Sequence, residues 1–453
     1  MARRDGSQTV NADTKAPDED GQSTGENPKA GRKPKRIRRA LLFLFCAYLA
    51  LGYLSTAFET VTVSAPVTPT LALPEPAGAI LSGVFSVHTG RSHDARGTRE
   101  QVAEAASEAA LDFVVIGDHP PDVRRPDWAI WDPAFFGEVF IDGGLELRAP
   151  VAGKVLTMGV DSAYKRWQGD LESFVEFLDE QDVTSMVVHG RGPRGSERWV
   201  HDGVEGLQGW EVLDISEFSR ARIRGPWALY HLVLSVVGFP FGLADESMIH
   251  FMREGFETGT VAAYDSLRQA GPLTATAGLN VHPKLGLGPV LVPSYDPFFR
   301  TLVSHVAVAE PLPSDPAMAQ RLLAEGVRRG DVFISLGDQE GAEGFRLAAV
   351  LEDGRQLPMG THASFSAGAT LRAGLEEPSG QNLAYRILRD GEEVEWVLGP
   401  SLEWEIQRPG VYRVEVHRFG LRLGKVFFRL RPWIFANPIG LVVDPGTPGP
   451  GGR

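Results

Sequence analysis

Cysteine is nearly absent: the chain holds one thiol, Cys46, among 453 residues. No disulfide can form within the chain, so cysteine usage does not identify the compartment. Positive charge is also in deficit, with a formal net charge of −13. Residues 1–39 carry ten Lys/Arg against six Asp/Glu, which leaves −17 for the remainder. An acidic body argues against nucleic acid as a partner, because that binding runs on cationic surface. The first 39 residues have almost no large apolar side chains and read as a disordered basic tail (1–39). Charge is missing altogether from Ala40 to Phe58, "ALLFLFCAYLALGYLSTAF". That run approaches the ~20 residues of a membrane-spanning helix.

The cluster "GRKPKRIRR" before this run orients a single-pass signal anchor in the cytoplasmic membrane, with the N-terminus cytoplasmic and the main body extracytoplasmic. A cleavable signal peptide is the rival; the long preceding segment favours an uncleaved anchor. Residues 59–78, with four prolines, read as an extended linker. Length alone calls for two folded domains. Between 79 and 330, apolar strand-like runs alternate with helical patterns, and each run stops at an ionisable residue or glycine. The rhythm predicts parallel strands with crossover helices and a site at the strand C-termini. "WALYHLVLSVVGFPFGL" (227–243) is too broken to span a membrane and reads as a buried core helix. From 331 to 440, short alternating strands separated by turns such as Asp390-Gly391 predict a small antiparallel β-sandwich. Residues 441–453 read as a disordered tail.

The polar groups at the strand ends of 79–330 are His88, His93 with Asp94, Asp118-His119, Glu146, His189, Glu211, and Asn280 with His282. Imidazoles with a carboxylate able to bridge suit a divalent metal, Zn, Mn or Fe. Such ions activate water and neutralise a phosphate oxyanion.

The stretch "FSVHTGRSHDARGTREQVAEAASEAALDFVVIGDH" (85–119) resembles the opening of the PHP (polymerase and histidinol phosphatase) superfamily. "GGLELRAPVAGKVLTMGVD", "VVHGRGP" and "TATAGLNVHP" resemble its later motifs in the same order. The resemblance implies a distorted (β/α)7 barrel over 79–330, metal ions at the strand ends and hydrolysis of phosphate esters. It implies His88, His93 (with Asp94 as the alternative), His119, Glu146, His189 and His282 as metal ligands, with His88, Glu146 and His189 in the catalytic set. Three ligand positions are substituted: Ser86 and Lys154 stand where the family has His, and Asn280 where it has Asp. An ammonium cannot ligate while protonated and repels a neighbouring cation, so fewer than three ions are expected. The expected survivor is the set His93 (or Asp94), His119 and His282. Lys154 is expected to pair with Glu146. Arg191 and Arg194 are candidates for holding an anion; a solvated basic loop is the alternative. The C-terminal motifs "RPGVYRVEVHR" and "RPWIFANPIGL" resemble the sandwich module that follows PHP domains in some bacterial proteins. Trp433, Asn437 and Pro438 are expected to pack it on the barrel. Three functions follow: a membrane-anchored phosphoesterase acting on a small phosphorylated substrate, a catalytically dead scaffold at the cell envelope, or a surface-binding protein working through its sandwich.

Overall fold

The computed structural model describes residues 33–63, 72–74, 78–121, 128–160, 169–192, 195, 197–201, 203, 205–215, 227–238, 259–287, 290–337, 339–377 and 382–443. The chain divides into two compact units, Met1–Ala50 and Leu51–Arg453. Helix α1, Lys33–Ala57, begins inside the basic cluster that was assigned to the tail. Its stretch Lys35–Ser55 is long and apolar enough to cross a membrane, and most of its side chains are exposed. The expected linker contains a short strand, β1 (Phe58–Thr60).

The second unit begins its main sheet with β2 (Ala79–Val87). It continues through α2 (Arg99–Glu108), β3 (Phe113–Ile116), the hairpin β4 (Ala134–Phe136) and β5 (Val139–Asp142), then β6 (Leu145–Arg148) and β7 (Lys154–Met158). There follow α3 (Leu171–Glu180), β8 (Thr184–Val188), β9 (Gly209–Asp214), α4 (Ala228–Gly238), α5 (Gly259–Ala270) and β10 (Thr274–Val281). A small hairpin, β11 (Leu285–Leu287) and β12 (Val290–Val292), leads to α6 (Asp296–Phe299), β13 (Leu302–Val308), α7 (Pro316–Arg329) and β14 (Val332–Leu336).

Local chemistry fixes the helix starts. Thr98 caps α2 in a reciprocal capping box with Gln101. Asp170 and Asp315 cap α3 and α7, and Pro316 occupies the first turn of α7. α2 buries Val102, Ala103, Ala105 and Ala106, small residues that let the helix lie close on the sheet. α7 stops at Gly330 in the left-handed region, φ 73°, where an added Cβ would meet the Gly360 backbone.

Strands β2, β3, β8, β9 and β10 pair in parallel, as the alternation of elements predicts. The pairing returns from β10 to β2, and an Asp118–Leu145 bridge joins the end of β3 to β6. The interior strands are buried on both faces, so β3 reads Phe-Val-Val-Ile and the polar residues of β8 and β10 are small Thr, Ser and Asn. One stretch departs from the parallel expectation: β6, β7 and β8 are antiparallel neighbours. Five residues between Arg148 and Lys154 suffice for a reversal but not for a crossover. Lys154 therefore opens its strand instead of ending it, and lies opposite Val188, beside the C-terminal end of β8. In α4, Tyr230 and His231 are buried while Leu229 and Leu232 are exposed, a mixed surface rather than a wholly buried one; the rest of the 239–243 segment lies outside the described residues.

Beyond β14 the chain is built of strands, from three to nine residues long. They are β15 (Phe345–Val350), β16 (Gln356–Pro358), β17 (His362–Ser364), β18 (Thr370–Leu375), β19 (Leu383–Arg389), β20 (Glu392–Leu398) and β21 (Ser401–Glu405). β22 (Gly410–Arg418), β23 (Leu421–Leu423), β24 (Val426–Phe428), β25 (Arg431–Ala436) and β26 (Ile439–Val442) complete the strands among the described residues. Two sheets enclose a separate apolar cluster that includes Leu347, Leu371, Tyr385, Val414 and Trp433. β14 pairs with β13 on one side and β25 on the other, so the sheets of the two halves join through it. Asn437 adds a side-chain clasp: its Oδ1 accepts from the Ala275 N–H at 2.6 Å, and its Nδ2 donates to the carbonyls of Ala275 and Val332, each at 2.9 Å.

Candidate metal centre

The site forms where the parallel strands end and β7 begins. The strand ends are bulged. Register slips between Val84 and Val87 of β2 and between Gly278 and Val281 of β10. The residues in those slips, Ser86 (φ 59°) and Asn280 (φ 47°), adopt left-handed backbone, as does His189 (φ 55°) just past β8. Three non-glycine residues in this region, all at substituted or retained ligand positions, mark backbone strain concentrated at a site.

The loop after β2 is held by Asp118. Its carboxylate accepts from the Thr89 N–H and hydroxyl, both at 2.6 Å, and from the Trp131 indole at 3.2 Å. Tyr295 donates to the His88 carbonyl at 2.7 Å and fills the space that Gly97 leaves open; a Cβ at 97 would strike its hydroxyl. With the loop fixed, four potential ligand atoms converge, one each from His88, Asp94, His119 and His282. Asp94 Oδ2 lies 3.3 Å from His282 Nε2 and 3.8 Å from His119 Nε2, and the His88 and His282 rings stack at 3.8 Å. Ligands of a tetrahedral ion at ~2.0–2.1 Å stand about 3.4 Å apart; the four atoms lie within 4.8 Å of one another, so they would draw together to hold one ion.

Hydrogen bonding sets the ligand atoms. His282 Nδ1 lies 2.7 Å from the Asn280 carbonyl and must donate to it, which leaves Nε2 as the free lone pair. His88 Nε2 is buried with no hydrogen-bond partner. Burial first, and then the nearby His282, push the His88 imidazole well below its ordinary range. Burial likewise lowers His282. Neutral imidazoles are the ligating form, so the donor set fits a divalent cation.

Beside this cluster the chemistry changes. Glu146, at the centre of the site, lies 2.5 Å from Lys154 Nζ, with Glu197 3.4 Å from the same ammonium. Its carboxylate also faces His119 Nδ1 at 3.6 Å, His88 Nε2 at 3.7 Å and His189 Nε2 at 3.8 Å. Burial opposes the charge of Glu146, but Lys154 and then the histidines outweigh it and hold the carboxyl well below its usual range. Burial likewise opposes the Lys154 charge; Glu146 and Glu197 outweigh it and raise the ammonium. The ammonium therefore stays charged and neutralises the buried Glu146.

A second group, His189, Glu211 and Asp214, is fully buried. Asp214 Oδ2 lies 2.7 Å from His189 Nδ1, and Glu211 accepts from the His189 N–H at 3.2 Å and the Ser86 hydroxyl at 3.3 Å. These carboxylates orient His189 and Ser86. Asn280 is buried with both polar atoms of its side-chain amide lacking a hydrogen-bond partner.

The structure thus brings His88, Asp94, His119, Glu146, His189 and His282 together. His93 stands outside the converging set: it is exposed, its ring 5.4 Å from that of His119, and Asp94 supplies the loop's donor atom. Arg191 is exposed, and Arg194 lies outside the described residues. Sequence reasoning missed Asp214 and Glu197 as site residues. Asp214 carried a signal, an ionisable residue ending the buried run "WEVLD"; Glu197 sits in an irregular loop and carried none.

The geometry defines a histidine–carboxylate centre at strand ends. Two solved structures are similar to the chain at low identity. One is a two-domain protein containing a predicted PHP-like metal-dependent phosphoesterase from Bacteroides vulgatus: 11% identity, TM-score 0.36, covering 82% of this chain and 100% of that one. Another is an Endonuclease Q solved with a 27-mer duplex bearing an abasic lesion: 13% identity, TM-score 0.27, covering 51% of this chain and 53% of that one. No family model matches the sequence, and no curated protein does.

Proposed function

We propose that the chain is a membrane-anchored, metal-dependent phosphoesterase of the PHP type with a reduced metal set. Residues 79–330 form its distorted (β/α)7 barrel and 331–440 its β-sandwich. The observation that carries the reading is the convergence of His88, Asp94, His119 and His282 around the buried, partnerless Nε2 of His88. A divalent ion, Zn, Mn or Fe, would be held by these four and would supply Lewis acidity and an activated water. The Glu146 carboxylate lies 3.6–3.8 Å from His88, His119 and His189 and supplies the negative charge at the centre of the site. His189, its Nδ1 held by Asp214, presents Nε2 to the pocket, where it can take or return a proton at a leaving oxygen. Lys154 contributes a fixed positive charge where a second ion would stand. Arg191, exposed two residues after His189, is the candidate to meet a phosphate. The acidic body favours a small phosphorylated substrate over nucleic acid.

The test uses the full chain in detergent. Bound Zn, Mn and Fe are measured, and a generic phosphomonoester, a diester and an abasic duplex are assayed. About one ion per chain with turnover of a small ester supports the reading; turnover of the duplex alone replaces its substrate class. No metal and no turnover would sink it. That last result would favour the scaffold reading, for which the Lys154–Glu146 pair speaks.

A further inference from the structure

The sheet of β1, β24 and β23 has its apolar side facing outward. In register, Phe58 lies opposite Phe428, Thr60 opposite Val426, Leu421 opposite Phe428 and Leu423 opposite Val426. Directly opposed residues share a face, so one face carries Phe58, Thr60, Val426, Phe428, Leu421 and Leu423 without a single charge. The other face turns Phe427 into a core cluster with Trp396 and Leu430. The outward face is open: Leu423 is 72% exposed, Leu421 57%, Phe58 48% and Val426 41%. An ordinary half-buried sheet shows the reverse pattern.

Two observations say what covers this face. First, β1 starts at the residue after α1 ends, and the last turn of α1 belongs to the same compact unit as the sheet. The Arg429 N–H donates to the Ala57 carbonyl at 2.7 Å, tying the β24 end to the helix terminus. The candidate span ends at Ser55, so Phe58 is within about 10 Å of the membrane boundary at ~3.3 Å per residue. Second, the segment 418–431 carries no acidic residue, and its exposed cations Lys425, at the β23–β24 turn, and Arg422, on the edge strand β23 beside Phe427, border the face, while Arg418 is stacked on Trp433. Two copies of such a surface repel each other, whereas anionic lipid headgroups complement it.

We infer that this sheet is a lipid-docking surface: Leu421, Leu423, Val426 and Phe58 enter the interfacial layer of the bilayer and the cations around them meet anionic headgroups. The inference rests on reading α1 as a membrane span. Docking at a second point would fix the orientation of the body, and with it the mouth of the metal site, relative to the membrane.

Single-cysteine forms of the full chain, labelled with an environment-sensitive fluorophore, test it in phosphatidylglycerol/phosphatidylethanolamine vesicles containing nitroxide lipids. One form uses the natural Cys46. Another carries Leu423→Cys with Cys46→Ser, and a control carries Asp353→Cys with Cys46→Ser at an exposed turn. The expected result is a blue shift at 423 with loss of intensity to headgroup-level nitroxides. Cys46 is expected to be quenched by deep nitroxides, and 353 to remain in water. Cys46 quenched with 423 in water overturns the docking and leaves the anchor standing. Cys46 in water overturns the anchor and the docking together. A blue shift at 423 that ignores lipid nitroxides and grows with protein concentration assigns the face to a second copy, and also overturns it.

Discussion

Glu146 has two neighbours of different kinds. On one side are imidazoles that burial keeps neutral, arranged with Asp94 at the spacing of ligands. On the other is the Lys154 ammonium, which two carboxylates hold charged. The same buried carboxylate is satisfied by a protein cation on one flank and is free to assist an exogenous one on the other. A cation built into the chain cannot be lost to a chelator or exchanged, and it cannot polarise a substrate oxygen by coordination. The difference shows how a buried carboxylate can be neutralised by the chain itself on one flank and still face a candidate cation site on the other.

Breaking that contrast on the lysine side carries the largest expected effect. Lys154→Met strands Glu146, and removal of one partner of a buried pair costs about 3–5 kcal/mol. Urea unfolding of the metal-free protein measures the loss, and added Zn²⁺ is expected to recover part of it by standing in for the ammonium. Lys154→His removes the contrast from the other direction: the bound metal per chain, measured by atomic emission, is expected to rise by one. On the imidazole side, Asp94→Ala or His282→Ala is expected to weaken metal affinity more than the ~10–100-fold typical of outer-sphere changes, while His93→Ala leaves it nearly unchanged. Competition with a chromophoric chelator measures both.

The imidazole side was largely legible in the sequence and the lysine side only in part. His88, His119 and His282 announce themselves because strand C-termini are the natural place for polar groups beside long apolar runs. The Lys154–Glu146 pairing follows from charge alone, but its geometry does not: "KVLTM" reads as a strand in either direction, and only its five-residue connection to β6 reverses it. The bulges at Ser86 and Asn280 left no trace in composition, since backbone φ is set by neighbouring strands. The outward-facing apolar hairpin "LRLGKVFF" reads as an ordinary sandwich strand pair until its register shows which face is covered.

A second pair of buried carboxylates extends the contrast to pH. Glu415 has Arg413 and Arg386 beside it, and despite burial its carboxyl is held well below the usual range. Asp142 is equally buried but has only the Gln320 amide at 2.5 Å and a backbone donor, and burial pushes it up to about 6. Between the unfolded value of 3.8 and about 6, the native state binds more protons than the unfolded one at Asp142. Stability therefore falls with rising pH across that window and levels off above it. Asp142→Asn is expected to remove this slope, gaining on the wild type by roughly 2–3 kcal/mol between pH 4 and pH 7. Urea midpoints at the two pH values check it; an unchanged difference defeats the assignment.

The smallest effect expected separates the two flanks through the fold. Asn437 holds β10, the strand that carries Asn280 and leads into His282, by two side-chain hydrogen bonds to Ala275 and holds β14 by a third to Val332, and none of these three reaches β7 or Lys154. Asn437→Ala leaves the Ala275 N–H and the carbonyls of Ala275 and Val332 without that partner, at a cost of about 1–3 kcal/mol. If the C-terminal sheets position the imidazole flank, metal affinity falls along with stability, while the Lys154→Met penalty measured in the Asn437→Ala background stays the same, because sites this separate add. Equal metal affinity in the variant would confine Asn437 to holding the two halves together.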